Sequence, residues 1–166
     1  MNPIHSAILS QFEKIQGDAF LIHQLKWDDS TRNIRFEPYR RVGDRLAFDL
    51  YEPVYAGSLA PAANADKILE EIYRRFNVEL PADFYDHSMS VSDVVTLRQN
   101  GKVSSYYTDS FDFVELPGFY TVRKELVKTE EAPKEKTSVK ELLQSAQAPH
   151  QPKPQKNMPD KGMEAR

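Results

Sequence analysis

The sequence has no cysteine, few glycines and no long hydrophobic run. The lack of cysteine excludes a disulfide, a thiol nucleophile and a zinc site with cysteine ligands. The six glycines include no pair with the spacing of a phosphate-binding loop, so we expect no cofactor. No apolar run approaches the roughly 18 residues that cross a bilayer, and the first residues do not resemble a secretory signal. We therefore expect a soluble, cytoplasmic protein that has no membrane partner.

The aromatic residues indicate where the folded part ends. Nine Phe, eight Tyr and one Trp are present, and all lie between Phe12 and Tyr120 of the 166-residue chain. The stretch after Tyr120 is polar and rich in proline, so it cannot bury enough apolar surface to offset its ordering entropy. A capping-box spacing followed by two leucines predicts a short helix at 138–147 within it. We divide the chain into an N-terminal helix at 1–19, a domain at 20–127 and a disordered tail at 128–166.

The charge changes sign near the same boundary. Residues 1–120 contain 12 basic and 18 acidic side chains, a net charge of −6, whereas residues 121–166 contain 10 basic and seven acidic, a net charge of +3. Nucleic-acid binding depends largely on Lys and Arg contacts to phosphates. The acidic character of the aromatic-rich part therefore argues against a general nucleic-acid binder.

Helical spacing and one turn motif predict the clearest local structures. Asn100-Gly101 lies between two β-branched and aromatic runs and predicts a two-residue hairpin that pairs Arg98 with Val103, because a type I′ turn needs positive φ at both positions. Ala65–Asn77, capped by Asn64 or Asp66, is predicted to be a helix from its apolar spacing at Ile68, Leu69, Ile72, Tyr73 and Phe76.

The remaining elements complete an α+β fold. An apolar face of Ile4, Ile8, Phe12 and Ile15 predicts an N-terminal helix. We expect one or two helices against an antiparallel sheet of about five strands. The segments with strand character are Phe20–Lys26, Ile34–Tyr39, Leu50–Tyr55, Asp93–Arg98, Val103–Thr108, Phe111–Glu115 and Phe119–Leu126.

Taken in order, six segments resemble the YodL-like domain, a bacterial family. They are FLIHQLK, NIRFEPYRRV, YEPVYAGSL, ILEEIYRRFN, PADFYDHSMSVSDVV and NGKVSSYYTDSFDFVELPGF, and they cover about Phe20 to Phe119. The resemblance implies an accessory protein of a mobile genetic element. It implies no catalytic residue, no cofactor and no mechanism.

Two kinds of catalytic or metal chemistry are suggested around His87. Asp86-His87-Ser88 has the residue types of a hydrolytic triad, although neighbours in sequence rarely face one another and no Gly-x-Ser-x-Gly motif is present. Asp83, Asp86 and His87 could offer ligands to a hard cation. The other histidines, His5, His23 and His150, form no metal-ligand motif with it. A polar loop that satisfies its own backbone is the simpler interpretation.

An arginine cluster supports an alternative function in nucleic-acid binding. Guanidinium groups suit phosphates, and neighbouring Phe36 and Tyr39 could stack on bases. Glu37 and Asp44 interrupt the cluster, so a solvated surface is the competing interpretation. Its members are Arg32, Arg35, Arg40, Arg41 and Arg45.

The strongest functional pattern is an acidic, aromatic stretch from Phe76 to Val122. It contains seven acids and only two bases, Arg98 and Lys102, a net charge of −5. Carboxylates mixed with exposed rings favour docking of a basic protein surface, although acids that serve only solubility would look the same. The predicted contact residues are Asp83, Tyr85, Asp86, Tyr107, Asp109, Asp112 and Glu115.

From these patterns we expect a non-enzymatic protein that acts by protein–protein binding. The expected partner has a basic surface, such as a nucleic-acid-processing enzyme, and inhibition of a host defence nuclease of the anti-restriction or anti-CRISPR type would fit it. The alternatives are a nucleic-acid module built on the arginine cluster and a hydrolase that uses His87.

Overall fold

The computed structural model describes residues 2–61 and 64–121. Within these ranges, five strands form one antiparallel sheet in the order β2-β1-β3-β4-β5, with helices on both of its faces. This confirms the predicted α+β class. The helices are α1 (Pro3–Lys14), α2 (Tyr39–Val42) and α3 (Ala65–Val78), and the strands are β1 (Ala19–Leu25), β2 (Tyr51–Ser58), β3 (Val94–Gln99), β4 (Lys102–Thr108) and β5 (Phe113–Glu115). The predicted tail at 128–166, with its helix at 138–147, lies outside the described residues.

Strand β1 is buried along its whole length because both faces of the sheet are covered. Phe20 and Ile22 pack with the buried side of α3, whereas Leu21, on the opposite face, packs with Phe12 of α1. The alternation of side chains along a strand places these residues on opposite faces. A sheet covered on both sides leaves few of its own side chains exposed, so exposed rings must come mainly from turns and helix surfaces.

Helix α3 and the hairpin confirm their sequence predictions. The Asn64 side chain accepts a hydrogen bond from the Lys67 amide at the start of α3. In the hairpin, Arg98 pairs with Val103, and both Asn100 (φ 52°) and Gly101 (φ 81°) have positive φ. Local backbone preferences therefore fix both elements.

The predicted strand Ile34–Tyr39 is wrong. The amides of Ile34 and Arg35 both donate to the Thr31 carbonyl, and Phe36 has a left-handed backbone (φ 68°) that ends any extended run. The chain then enters α2 after Pro38. This segment covers one face of the sheet, where Ile34 and Val42 join a buried cluster.

Three smaller predictions also need correction. Ile4 is exposed, because it lies five positions before the buried Leu9 and so about 140° away around α1. Residues 119–121 form a helical turn, not the start of the predicted strand Phe119–Leu126, since the Phe119 amide donates to the Leu116 carbonyl. Strand β2 extends to Ser58, beyond the predicted end at Tyr55, and it includes Pro53, which an edge strand tolerates.

Candidate functional site

A groove between α3 and the β4–β5 turn collects carboxylates and aromatic rings. It encloses about 210 Å³ and is open to solvent. We call it the acidic groove and define it by its lining residues, which are Glu70, Tyr73, Thr108, Asp109, Ser110, Phe111, Asp112 and Phe113.

The turn side of the acidic groove is shaped by backbone hydrogen bonds. The Asp109 carboxylate accepts from the Ser110 amide (2.8 Å) and from the Tyr39 amide (3.0 Å) of α2, and the Asp109 amide donates to the Asp112 carbonyl (2.9 Å). These bonds close a tight turn that directs Phe111 outward, where its side chain is 100% exposed. Phe113 returns toward the sheet and packs against the cluster beneath α3.

The helix side of the acidic groove comes from the outer surface of α3. Leu69, Ile72 and Phe76 face the sheet, so Glu70 and Tyr73, one turn apart, reach the groove. Tyr73 was predicted on the apolar face, but 36% of its surface is exposed. The sequence does not indicate either residue as a site candidate, because the groove pairs them with a turn about 40 positions later in the chain.

The acidic groove has an excess of negative charge. Within the described residues, Glu70, Asp109 and Asp112 take part in no ion pair. Two of the three cations of α3 have other partners, because Arg74 binds Glu71 (2.7 Å) and Glu79 (3.2 Å), while the Arg75 guanidinium lies over the Phe76 ring. The groove therefore presents carboxylates that attract a basic ligand.

The predicted docking residues do not form one continuous surface. Asp109 and Asp112 line the acidic groove, whereas Glu115 lines a separate depression beside residues 103–105. A third group lies on the loop after α3, where Tyr85 and Asp86 are exposed and the Asp83 carboxylate accepts from the Tyr55 hydroxyl.

The prediction that Tyr107 is a docking residue is wrong. It is fully buried on the sheet face opposite α3, and its hydroxyl donates to the Glu37 carbonyl at 2.6 Å. Burial raises the pKa of the Tyr107 hydroxyl well above its usual value. The Tyr106 and Tyr107 side chains lie on opposite faces of the sheet, and both faces are covered. The exposed ring in this region is therefore Phe111.

The residues around His87 do not assemble a triad in the described part of the chain. His87 and Ser88 lie on an exposed loop, and His87 Nδ1 contacts the Ser88 carbonyl oxygen (2.8 Å) rather than a hydroxyl. The Gln24 side chain separates His87 from the nearest buried carboxylate, since its amide donates both to the His87 carbonyl and to Asp93 (2.9 Å each). Within the described ranges, no group of three or more His, Asp or Glu residues could hold a metal ion.

Behind this loop, Asp93 is a buried carboxyl group with an unusual environment. It accepts hydrogen bonds from Gln24 and from the Ser90 amide (3.0 Å). Burial raises the pKa of Asp93 to about 8, although both hydrogen bonds favour the ionised form. Ser92, its neighbour, has φ 90° and accepts from the Phe36 amide, so two residues with left-handed backbones are bonded to each other here.

An exposed aromatic cluster lies next to these strained residues. Trp27 and Phe36 are 67% and 50% exposed, and their rings contact each other and the His87 ring. The Arg35 guanidinium lies 4.1 Å from the centre of the Trp27 ring. The cluster is separate from the acidic groove and shares no lining residue with it.

The predicted arginine cluster is divided among local interactions. Arg35 donates to the carbonyls of Lys26 and Asp28 in addition to stacking on Trp27. Ion pairs neutralise Arg32 with Asp29 and Arg41 with Glu37. Arg40 is exposed on α2, and Arg45 donates to the Arg41 carbonyl. The segment therefore does not present five arginines as one basic face.

No helix in the part of the chain described by the structure has the length and apolar character needed to cross a membrane.

Comparison with known proteins identifies the family. Searches of curated proteins and of solved structures returned no match. The family model described as YodL-like domain matches residues 19–119, about three fifths of the chain and close to the extent predicted from the quoted segments. The chain therefore belongs to the YodL-like domain family.

Proposed function

We propose that this protein is a non-enzymatic binding protein whose acidic groove holds a basic segment of another protein. The observation that supports this most directly is the fully exposed Phe111 ring, which stands between the groove carboxylates Asp109 and Asp112. An aromatic ring left in water contributes nothing to the core but is a common anchor in protein interfaces. The carboxylates around it would steer a positively charged partner toward the groove.

The proposal includes a biological setting, an accessory role in a bacterial mobile genetic element. The family resemblance supports this setting. A host defence nuclease is a suitable partner, because enzymes that process nucleic acids carry basic channels for phosphate groups. An acidic surface that occupies such a channel would inhibit the enzyme without catalysing a reaction.

The nucleic-acid alternative is favoured by one observation, the exposed Trp27–Phe36 cluster with Arg35 stacked on it. Aromatic platforms flanked by Arg can bind single-stranded nucleic acid. The ion pairs of Arg32 and Arg41 and the net charge of −6 over residues 1–120 weigh against it. A gel shift with a salt titration separates the two functions, because phosphate contacts make affinity fall steeply as salt rises.

Affinity capture of the partner with groove variants tests the proposal. The tagged full chain would be used in the native host, and captured proteins would be identified by mass spectrometry. The double variant Glu70→Lys/Asp112→Lys reverses charge in the groove without touching Asp109, whose carboxylate holds the turn. We expect it to reduce capture of the principal partner at least about tenfold, as for loss of charged interface contacts.

A matched control makes this result specific to the groove. Asp86→Lys/Glu115→Lys changes the total charge by the same amount at exposed positions outside the groove. It should retain capture, and both variants should keep the wild-type melting temperature. Equal loss of capture in both variants would show that only overall charge matters, and undiminished capture by the groove variant would refute the proposal.

A further inference from the structure

We infer that the acidic groove is a receptor for one arginine side chain of the partner. This inference rests on the proposed function and specifies the chemistry that the groove recognises. Binding pockets for small molecules usually occupy about 300–1,000 Å³. The groove, at about 210 Å³ and open to solvent, suits a single long side chain delivered by a larger partner.

Carboxylates approach the acidic groove from two separate elements. Glu70 comes from α3 and Asp112 from the β4–β5 turn, and neither takes part in an ion pair within the described residues. A guanidinium group carries five N–H donors in a planar fork, so it can serve carboxylates on two sides at once. Lysine offers one compact ammonium group whose three donors share a single nitrogen, so it spans a shorter distance between two carboxylates than the guanidinium fork does.

Aromatic rings supply the remaining surface of the acidic groove. Tyr73, Phe111 and Phe113 all line it, and the fully exposed Phe111 ring is placed to cover a ligand. A guanidinium group stacks on aromatic faces more often than an ammonium group does. Rings combined with carboxylates on opposite walls therefore favour arginine over lysine.

An unused hydroxyl group lies beneath the same groove. Thr108 lines the groove with a residue exposure of only 2%, and its Oγ1 atom has no hydrogen-bond partner among the described residues. A buried hydroxyl without a partner is uncommon in folded proteins. The Thr108 hydroxyl therefore is an acceptor that the described residues leave unused at the groove, and a guanidinium N–H could use it.

Titration with short peptides, followed by NMR, tests this inference on the full chain. The probe is acetyl-Gly-Arg-Gly-amide, with the lysine peptide and the neutral citrulline peptide as matched comparisons. We expect the arginine peptide to shift the backbone amide signals of residues 110–112 and of Tyr73, while the indole signal of Trp27 outside the groove stays unchanged. The lysine peptide should bind at least about threefold more weakly, and the citrulline peptide should cause no shift at matched concentration.

Variants then assign the binding to individual side chains. Glu70→Gln/Asp112→Asn should weaken arginine-peptide binding at least about tenfold by removing both charged acceptors, and Phe111→Ala should weaken it severalfold. Glu115→Gln should bind as the wild type does. If the citrulline or lysine peptide binds as well as the arginine peptide, or if none shifts the groove signals, the inference is overturned. In that case, loss of partner capture by the charge-reversed groove would still support the proposed function, whereas failure of both experiments would remove both.

Discussion

At the scale of single residues, Asp93 is an acidic group whose chemistry the fold changes strongly. The β3 strand begins directly after it, and its carboxyl group sits among Gln24, Ser90 and the buried Tyr51. No cation neutralises it within the described residues. Because burial disfavours the ionised form, the carboxyl group keeps its proton in the folded state at pH values where an exposed Asp has lost it.

This environment predicts that stability decreases as pH rises from about 4 to about 8. The folded-state pKa of about 8 lies above the ordinary value of 3.8, so the folded state binds more protons than the unfolded state across this window. Unfolding free energy then falls with rising pH, by roughly 6 kcal/mol at most, and levels off above pH 8. Asp93→Asn, which mimics the neutral acid, should remove this slope and be more stable than the wild type at pH 8.

Urea unfolding at pH 4, 6 and 8 would measure this difference. Asp86→Asn serves as the control, since Asp86 is an exposed acid on the neighbouring loop. Groups other than Asp93 titrate equally in the wild type and in the Asp93→Asn variant, so the difference between the two curves isolates this carboxyl group. Parallel curves for the wild type and Asp93→Asn would contradict the prediction.

At the scale of elements, the β3–β4 hairpin and α3 follow their local sequence. Their turn residues and helical spacing specify dihedral angles that few alternative structures satisfy. The segment from Ile34 to Val42 behaves differently, because its alternating apolar residues suit a strand while Pro38 and the left-handed Phe36 prevent one. Only its packing against the sheet shows that these apolar residues serve as a cover and not as another strand.

The hairpin predicts a graded response to substitution at Gly101. Its φ of 81° is unfavourable for residues with a Cβ, and an added Cβ would meet no atom within 4 Å, so the cost is backbone strain alone. We expect Gly101→Ala to lower the unfolding free energy by about 1–2 kcal/mol. Gly101→Asn should cost less, because Asn tolerates the left-handed region. Denaturant unfolding of both variants checks this order, and equal stabilities for the Ala and Asn variants would count against it.

At the scale of the whole molecule, one side chain links the N-terminal helix to the centre of the sheet. Arg98 of β3 donates to the carbonyls of Phe12, Ile15 and Gly17, and its guanidinium lies 4.9 Å from the centre of the Phe12 ring. The last carbonyls of a helix lack partners within the helix. Arg98 therefore satisfies the end of α1 and fixes this helix against β3.

Arg98→Ala should destabilise the fold by about 2–3 kcal/mol, since several hydrogen bonds from a charged donor are lost together. Arg98→Lys should recover only part of this loss, because an ammonium group cannot reach the three carbonyls in one plane. Arg40→Ala, at an exposed position on α2, is the control and should change stability by less than about 0.5 kcal/mol. Thermal and urea unfolding measure all three, and a wild-type stability for Arg98→Ala would disprove the link.

The candidate site shows where prediction from sequence stopped. The composition of residues 76–122 indicated an acidic, aromatic surface, and Asp109 and Asp112 do line the acidic groove. Their sequence neighbour Tyr107 is buried, and the groove is completed by Glu70 and Tyr73 of a distant helix. Composition gives the chemical character of a region, but it does not reveal which ring faces water or which elements meet.

The sequence by itself determined the helix after Asn64 and the register of the hairpin, because spacing and turn chemistry act over a few residues. Tertiary structure decided that the chain from Ile34 to Leu50 covers the second face of the sheet and that the outer surface of α3 meets the β4–β5 turn. Those outcomes depend on packing between segments far apart in the chain. Because both faces of the sheet are covered, Tyr107 is buried, whereas Phe111, in the turn that joins β4 to β5, is exposed to water.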